Sequence, residues 1–431
     1  MAPFRPILVT FGLIASALAQ ACWRNATCTH PTEASFPGPW DENIYAPDSR
    51  TARPRSVLNA TATGDWARYV NAPNGSAPNM LLYRTLITGA FLADLAPADG
   101  GDDASSGATA GANLTESWLA RAETLRVAIR THFWDASKGA FIDGHRNRTL
   151  FPQDSNSYAV AFGVVDPAGP EAASISRALA ENWTPIGPAS PELPGNVSPF
   201  ISSVELEAHF AVGRADRALR LVRDSWGWYL NHPNGTGSTV IEGYLTDGTF
   251  GYRSARGYTD DPSYVSHAHG WSSGPTSTLT EYLVGLRVTR PAGAEWSLKP
   301  AFGEVSEAQA GFTTALGRFS ARWAVEGDFA VVKWDVPTDT RGWLGLGSEE
   351  GRWVDGGKGG GEGQETYRAL LYLDLKSLTC IRWQRCHQDS ANVSHGCKPS
   401  CQPPRTLRKS PSGVGSGCLM QVGFGERLKG K

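Results

Sequence analysis

The chain has 431 residues, 41% of them hydrophobic and 10% aromatic, with a formal net charge of −2. This excludes a disordered polar chain, and the near-neutral balance excludes a general nucleic-acid binder, which needs an excess of Lys and Arg. Fifteen Trp against 16 Phe is a high indole share; such rings pack in cores or stack on flat, partly polar faces such as those of sugars.

In chain order, Arg5, the apolar run Ile7 to Leu18 and the Ala17-Leu18-Ala19 triplet have the pattern of a secretory signal peptide over 1–19. The run is too short to cross a bilayer, so no membrane partner is expected, and the mature protein is expected outside the cell. Nine N-x-S/T acceptors, at Asn25, Asn59, Asn74, Asn113, Asn147, Asn182, Asn196, Asn234 and Asn392, fit a glycosylated secreted chain. The seven cysteines lie at 22, 28 and beyond 379, so the middle is expected to fold by packing alone.

Residues 20–63, rich in Pro, Thr, Ser and Asn, are expected to be irregular. A helical-hairpin region is expected over 64–290. Leu82, Leu86, Ala90 and Ala93 share one helical face, and 97–112 has the composition of a loop. Trp118, Ala122, Leu125, Ile129 and Phe133 share another face. Further helices are expected near 153–165, 171–183, 202–212, 214–230 and 273–287. Paired helices with long aromatic loops and no fixed repeat favour an incomplete (α/α)6 toroid over a solenoid. After Pro291 the period becomes two: Phe319, Ala321, Trp323 and Val325, then Ala330, Val332, Trp334 and Val336 across the Gly327-Asp328 turn. A small antiparallel β-sandwich is expected over 291–347. Residues 348–431 have the composition of a Gly-rich linker and a disordered Cys-containing tail; from Lys376 onward the local charge is +8.

The densest polar and aromatic stretch is 224–276. It holds Ser225-Trp226-Gly227, then Gly237-Ser238-Thr239 and Glu242, then Ser266-His267-Ala268-His269-Gly270-Trp271. These motifs, with Asp65-Trp66-Ala67-Arg68, Asn79 and Leu82-Tyr83, resemble the later half of the catalytic region of the α-L-rhamnosidases, glycoside hydrolase family 78, in their secreted fungal form. The hairpin at 319–336 is similar to that family's C-terminal β-sandwich, and the resemblance covers about 64–347.

The resemblance implies inverting hydrolysis of terminal α-L-rhamnose from a glycoside or polysaccharide. Glu242 would be the general base, His269, Trp66, Trp271 and Asp65 would contact the sugar, and no cofactor or metal would be needed. Inversion takes two carboxyls about 6.5–9.5 Å apart with a water between them. The family's E-R-x-G-W-x-G-D-like block, which carries the general acid, has no counterpart between Gln20 and Asp65. Hydrolysis by this chain is therefore expected to be impaired. Two other readings stay open: a non-catalytic carbohydrate-binding protein, and another inverting (α/α)6 glycosidase. Rhamnose binding without turnover marks the first, and activity on glucosides alone marks the second.

Plain alternatives accompany each residue. Glu242 could be a surface glutamate, His269 a satisfied core histidine, Trp66 and Trp271 core aromatics, and Asp65 a helix cap. Tyr258, Asp260 and Asp261 fall on a candidate rim loop, and Gln153-Asp154 has the pattern of a helix start.

Overall fold

The computed structural model describes residues 68, 75–95, 104–145, 147–253, 258, 261–326, 329–346, 351–355 and 361–368, with the backbone alone at 104–113, 326, 329 and 361–368. The signal peptide, the irregular segment 20–63, Asp65, Trp66, Asp260, all seven cysteines and the tail beyond 368 lie outside the described residues.

The first helical pair is α1 (Ser76–Leu95) and α2 (Ala104–Phe133). Its core face is built from Met80, Tyr83 and Ala90 of α1 with Ala122, Leu125, Ile129 and Phe133 of α2, all buried. The helices approach closely where Trp118 crosses Gly89: a Cβ there would come within 2.9 Å of the indole. Helix α2 begins eight residues before the end of the loop expected at 97–112. Gly and Ser suggested a loop, but Ala104, Ala108, Ala110 and Ala112 carry strong helix propensity, and the register set by the packed half of α2 extends backward through them.

A two-residue hairpin, β1 (Trp134–Asp135) with β2 (Ala140–Phe141), leads to α3 (Gln153–Ala161) and α4 (Pro170–Ala180). Strands β3 (Trp183–Thr184) and β4 (Gly187–Pro188) form a second small hairpin. Strand β5 (Asn196–Val197) then runs into α5 (Pro199–Ala211). The helix expected at 214–230 is not uniform. It is α6 (Ala215–Leu221), a π-helical stretch Val222–Gly227, and a last α turn Trp228–Leu230. Such widened turns re-aim side chains; here Ser225 and Trp226 are buried. Trp226 Nε1 donates to the Ser272 carbonyl at 2.7 Å, tying this helix to the loop that carries His269. Strand β6 (Tyr244–Leu245) pairs antiparallel with β5. The last helix, α7 (Gly274–Thr278), also widens into a π turn, Leu279–Val284. It stops at Gly285, whose φ of +86° and contact with the Lys299 backbone, 2.3 Å from where a Cβ would lie, admit only glycine.

Eight strands follow: β7 (Leu286–Val288), β8 (Glu295–Leu298), β9 (Glu307–Thr314), β10 (Gly317–Glu326), β11 (Phe329–Val336), β12 (Arg341–Leu344), β13 (Arg352–Asp355) and β14 (Gly361–Arg368). They form two four-stranded sheets, in the orders β14-β11-β10-β9 and β13-β12-β8-β7. The strand-bearing region is wider than 291–347. It starts within what was expected to be helical-domain sequence and takes in part of the glycine-rich stretch expected as linker. Strand β14 joins β11 by main-chain pairing, which requires no apolar alternation and so leaves little trace in sequence. The sheets are also not purely antiparallel, because β8 and β12 pair in parallel. The long connection between them passes through β9–β11 of the other sheet, and a parallel pair needs such a crossover.

The sheets share a core with α5, α6 and the last helix, apart from the cluster that packs α1 to α4. Trp296, Leu298, Phe319, Trp323, Val332 and Leu344 cluster with Leu206 and Phe210 of α5 and with Leu219 and Leu283. Trp323 Nε1 donates to the Leu283 carbonyl at 2.9 Å, so one buried indole joins both parts by packing and by a hydrogen bond. No helix of the described residues is long and apolar enough to cross a membrane.

Candidate active site around Glu242

Glu242 lies on the irregular segment between the 232–239 loop and β6. Two backbone bonds fix that segment against the His269 loop: Glu242 N donates to the Ser266 carbonyl at 2.8 Å, and His269 N donates to the Val240 carbonyl at 2.9 Å. Gly243 is required beside it, since a Cβ there would fall 2.4 Å from the Tyr252 ring. The Glu242 side chain is 12% exposed. Its Oε1 accepts from the Tyr258 hydroxyl at 2.8 Å and its Oε2 from the Ser266 N–H at 3.2 Å. Arg253 Nη1 stands 3.9 Å from Oε1, and its guanidinium lies 5.0 Å from the Tyr258 ring centroid. Arg253 itself adopts φ = +59°, and its N–H donates to Asn196 Oδ1 at 3.1 Å. The carboxylate is thus held at both oxygens, with a cation beside it.

Burial lowers the pKa of the His269 imidazole, against the opposing pull of Glu242, so the ring is biased toward its neutral form. Burial, then the bond to Glu242, raises the Tyr258 phenol, which keeps its proton as a donor. Tyr264 stacks on Tyr258 with centroids 6.1 Å apart. His267 accepts or donates at Nδ1 with the Tyr229 hydroxyl, 2.8 Å away.

The structure brings together Glu242 and His269. It places Trp271 on the next short turn, 39% exposed, with its ring edge-on to Phe200 at 5.6 Å. Asp261 is exposed and caps its own turn by accepting from Ser263 N. Arg253 is the residue that sequence reasoning missed. Its signal is weak, an Arg five residues before Tyr258-Thr259-Asp260-Asp261; only the left-handed turn swings it back onto the carboxylate.

The other buried carboxyls serve the fold. Arg68 Nη2 donates to Asp143 Oδ1, and Arg68 Nε lies 2.8 Å from Asp154 Oδ2. Burial works against the Arg68 charge, but Asp154 and Asp143 outweigh it and keep the guanidinium charged. Asp143 is pushed up by burial, and its Oδ2 has no hydrogen-bond partner among the described residues. Glu192 caps α3, where Pro152 offers no side-chain cap: its two oxygens take the N–H groups of Gln153 and Asp154, each at 2.8 Å. Gln153-Asp154 is thus a capped helix start. Glu205 accepts from Trp183 Nε1 and Gln153 Nε2, both at 2.6 Å. It also lies 3.2 Å from His209, whose other ring nitrogen meets Ser176 Oγ at 2.9 Å. This Ser–His–Glu line is buried throughout, so substrate has no route to it.

Burial and the Asp154 charge push Glu192 up to about 8 from an ordinary 4.5. A raised folded-state pKa means that the fold favours the protonated form. Its stabilisation is complete below about 4.5 and is lost as pH rises through about 8. Urea-unfolding midpoints from pH 5 to 9 are therefore expected to fall for the wild type and to fall less for Glu192→Gln; equal slopes would refute the assignment.

Among the described residues, no group of three or more His, Cys, Asp or Glu side chains could hold a metal ion.

Residues 285–361 match the family model described as the bacterial alpha-L-rhamnosidase C-terminal domain, which meets the expected resemblance over this part of the chain. Among solved structures, the chain is similar to a GH78 family rhamnosidase of Bacillus sp. GL1, at 22% identity and a TM-score of 0.49, covering 68% of this chain and 28% of that one. It is similar to the α-L-rhamnosidase of Aspergillus terreus at 18% identity and a TM-score of 0.47, covering 72% and 32%. A third, the Streptomyces avermitilis α-L-rhamnosidase complexed with L-rhamnose, aligns at 17% identity and a TM-score of 0.44, covering 72% and 28%. The chain thus spans about a third or less of the length of these structures. A comparison with curated proteins returned no match.

Proposed function

We propose that this chain is a secreted glycosidase of the α-L-rhamnosidase type, whose Glu242 cleft receives a terminal α-L-rhamnosyl group. The observation that carries the proposal is the Glu242 carboxylate, nearly buried yet held by Tyr258, Ser266 N and Arg253 beside His269, within motifs that resemble that family. The match of 285–361 to the rhamnosidase C-terminal domain supports the same reading. In this account the helical pairs of 64–290 belong to an incomplete (α/α)6 toroid, and the two sheets that follow form its C-terminal β-sandwich. Glu242 acts as base: it takes a proton from water while that water attacks the anomeric carbon from the face opposite the leaving oxygen, inverting the configuration. Neutral His269 orients the sugar or the water. Asp65, Trp66 and Trp271 complete the sugar contacts.

Turnover by this chain is impaired in the same account. Inversion requires a second carboxyl as acid. Among the described residues, Asp143, Asp154, Glu192 and Glu205 are each engaged with Arg68, the α3 N-terminus or Trp183, so none of these four is free to serve as that acid. Ligand-detected NMR tests the substrate class. Saturation transfer from the full chain to methyl α-L-rhamnoside is expected, and transfer to methyl α-D-glucoside is not. Transfer to the glucoside alone would replace the rhamnoside reading with that of another inverting glycosidase.

A further inference from the structure

We propose that Asn234 is an N-glycosylation site beside the Glu242 cleft, whereas Asn196, which carries the same acceptor motif, stays unmodified in the folded protein. The inference rests on the secretory reading above, because the modification occurs in that pathway. The motif alone does not separate the two asparagines: Asn196-Val197-Ser198 and Asn234-Gly235-Thr236 both qualify.

Their surroundings separate them. Asn196 is buried and pairs in the β5–β6 ladder. Its Nδ2, the atom that would carry the sugar, donates to the Pro194 carbonyl at 3.0 Å, and its Oδ1 accepts from Arg253 N at 3.1 Å. A glycan on this buried nitrogen would force the side chain outward, and that movement would carry Oδ1 away from Arg253 N. Asn234 is exposed, on a tight turn closed by Gly235 N donating to the His232 carbonyl at 2.9 Å. The turn needs Gly235, since a Cβ would meet the Tyr229 carbonyl at 2.7 Å. No hydrogen bond among the described residues engages the Asn234 side chain, so a glycan on its Nδ2 displaces nothing. Asn147 and Asn182, on either side of α3 and α4, are half-buried.

The chemistry is a glycosyl transfer from a lipid-pyrophosphate-linked oligosaccharide. The Asn234 Nδ2–C1 bond forms, the C1–oxygen bond to the pyrophosphate breaks, the lipid pyrophosphate leaves, and the amide gives up one proton. The chain continues from this turn through Thr239, whose hydroxyl donates to the His267 carbonyl, to Val240 and Glu242. A glycan on Asn234 therefore stands on the loop that enters the cleft.

The test expresses the full chain in a eukaryotic secretory host, once with its own N-terminus and once behind a heterologous leader. Folded protein from the medium is treated with peptide N-glycanase in heavy-oxygen water and mapped by mass spectrometry. Asn234 is expected to convert to labelled aspartate while Asn196 remains asparagine, and Asn234→Gln is expected to remove one glycan's mass. Conversion of Asn234 behind the heterologous leader only would support the site and overturn the secretory reading. An unconverted Asn234 behind the heterologous leader, or a converted Asn196, would overturn the site assignment.

Discussion

Replacing Arg68 with methionine is expected to destabilise the protein by about 3–5 kcal/mol, the usual cost of removing one partner from a buried ion pair. Arg68, Asp143 and Asp154 are all buried, and the Arg68 guanidinium forms an ion pair with both acids. Without it, Asp143, already pushed up by burial, must either stay charged beside no cation or take up a proton, and Glu192 loses the charge that opposes its own shift. The variant is therefore expected to recover stability as pH falls, because protonating these carboxyls removes the repulsion. Chemical denaturation of wild type and Arg68→Met at pH 5 and pH 8 checks this. A gap that is the same at both values would show that the loss is one of packing rather than of charge. Arg68→Lys is expected to lie between the two, since an ammonium keeps the charge but cannot bond both acids in the guanidinium's planar geometry.

Trp323→Ala is the second large effect, at about 3–5 kcal/mol for emptying a buried indole site. Trp323 is fully buried between the sheets and the helical part, and its Nε1 bond to Leu283 is lost together with its volume. The Leu283 carbonyl is left without that donor at the end of the last helix. Trp323→Phe is expected to refill part of the cavity without restoring the bond and so to recover part of the loss. Thermal unfolding followed by Trp fluorescence should show both the lower midpoint and the order wild type, Phe, Ala. An unchanged midpoint for Trp323→Ala would mean that the sheets are not coupled to the helices through this residue.

Much of this was legible in the sequence where one period dominates. The face of Ala122, Leu125, Ile129 and Phe133 and the alternation at 319–336 both appear in the structure as buried sets, because burial selects side chains at the period of the backbone. Helix continuity was less legible. The widened turns at Val222–Gly227 and Leu279–Val284 keep helical composition and change only the register. The start of α2 was hidden by small residues, and β14 by glycines whose backbone pairing needs no apolar pattern.

In the candidate site, the motif singled out Glu242 and His269, and the structure places them near each other. The carboxylate's supports, Arg253 and the Ser266 N–H, were not legible. One depends on a left-handed backbone turn, and the other is a main-chain group that every residue but proline possesses. The Glu192 cap on α3 joins residues 38 and 39 positions apart, and no local pattern encodes such a contact.

The most direct test is a single proton-NMR time course of full-length wild type and Glu242→Gln with 4-nitrophenyl α-L-rhamnoside at high protein loading. The account predicts saturation transfer to the rhamnosyl protons with no Glu242-dependent release of 4-nitrophenol. Release by the wild type that Glu242→Gln abolishes, with β-rhamnose appearing first, would contradict the impairment and show a working acid in the cleft.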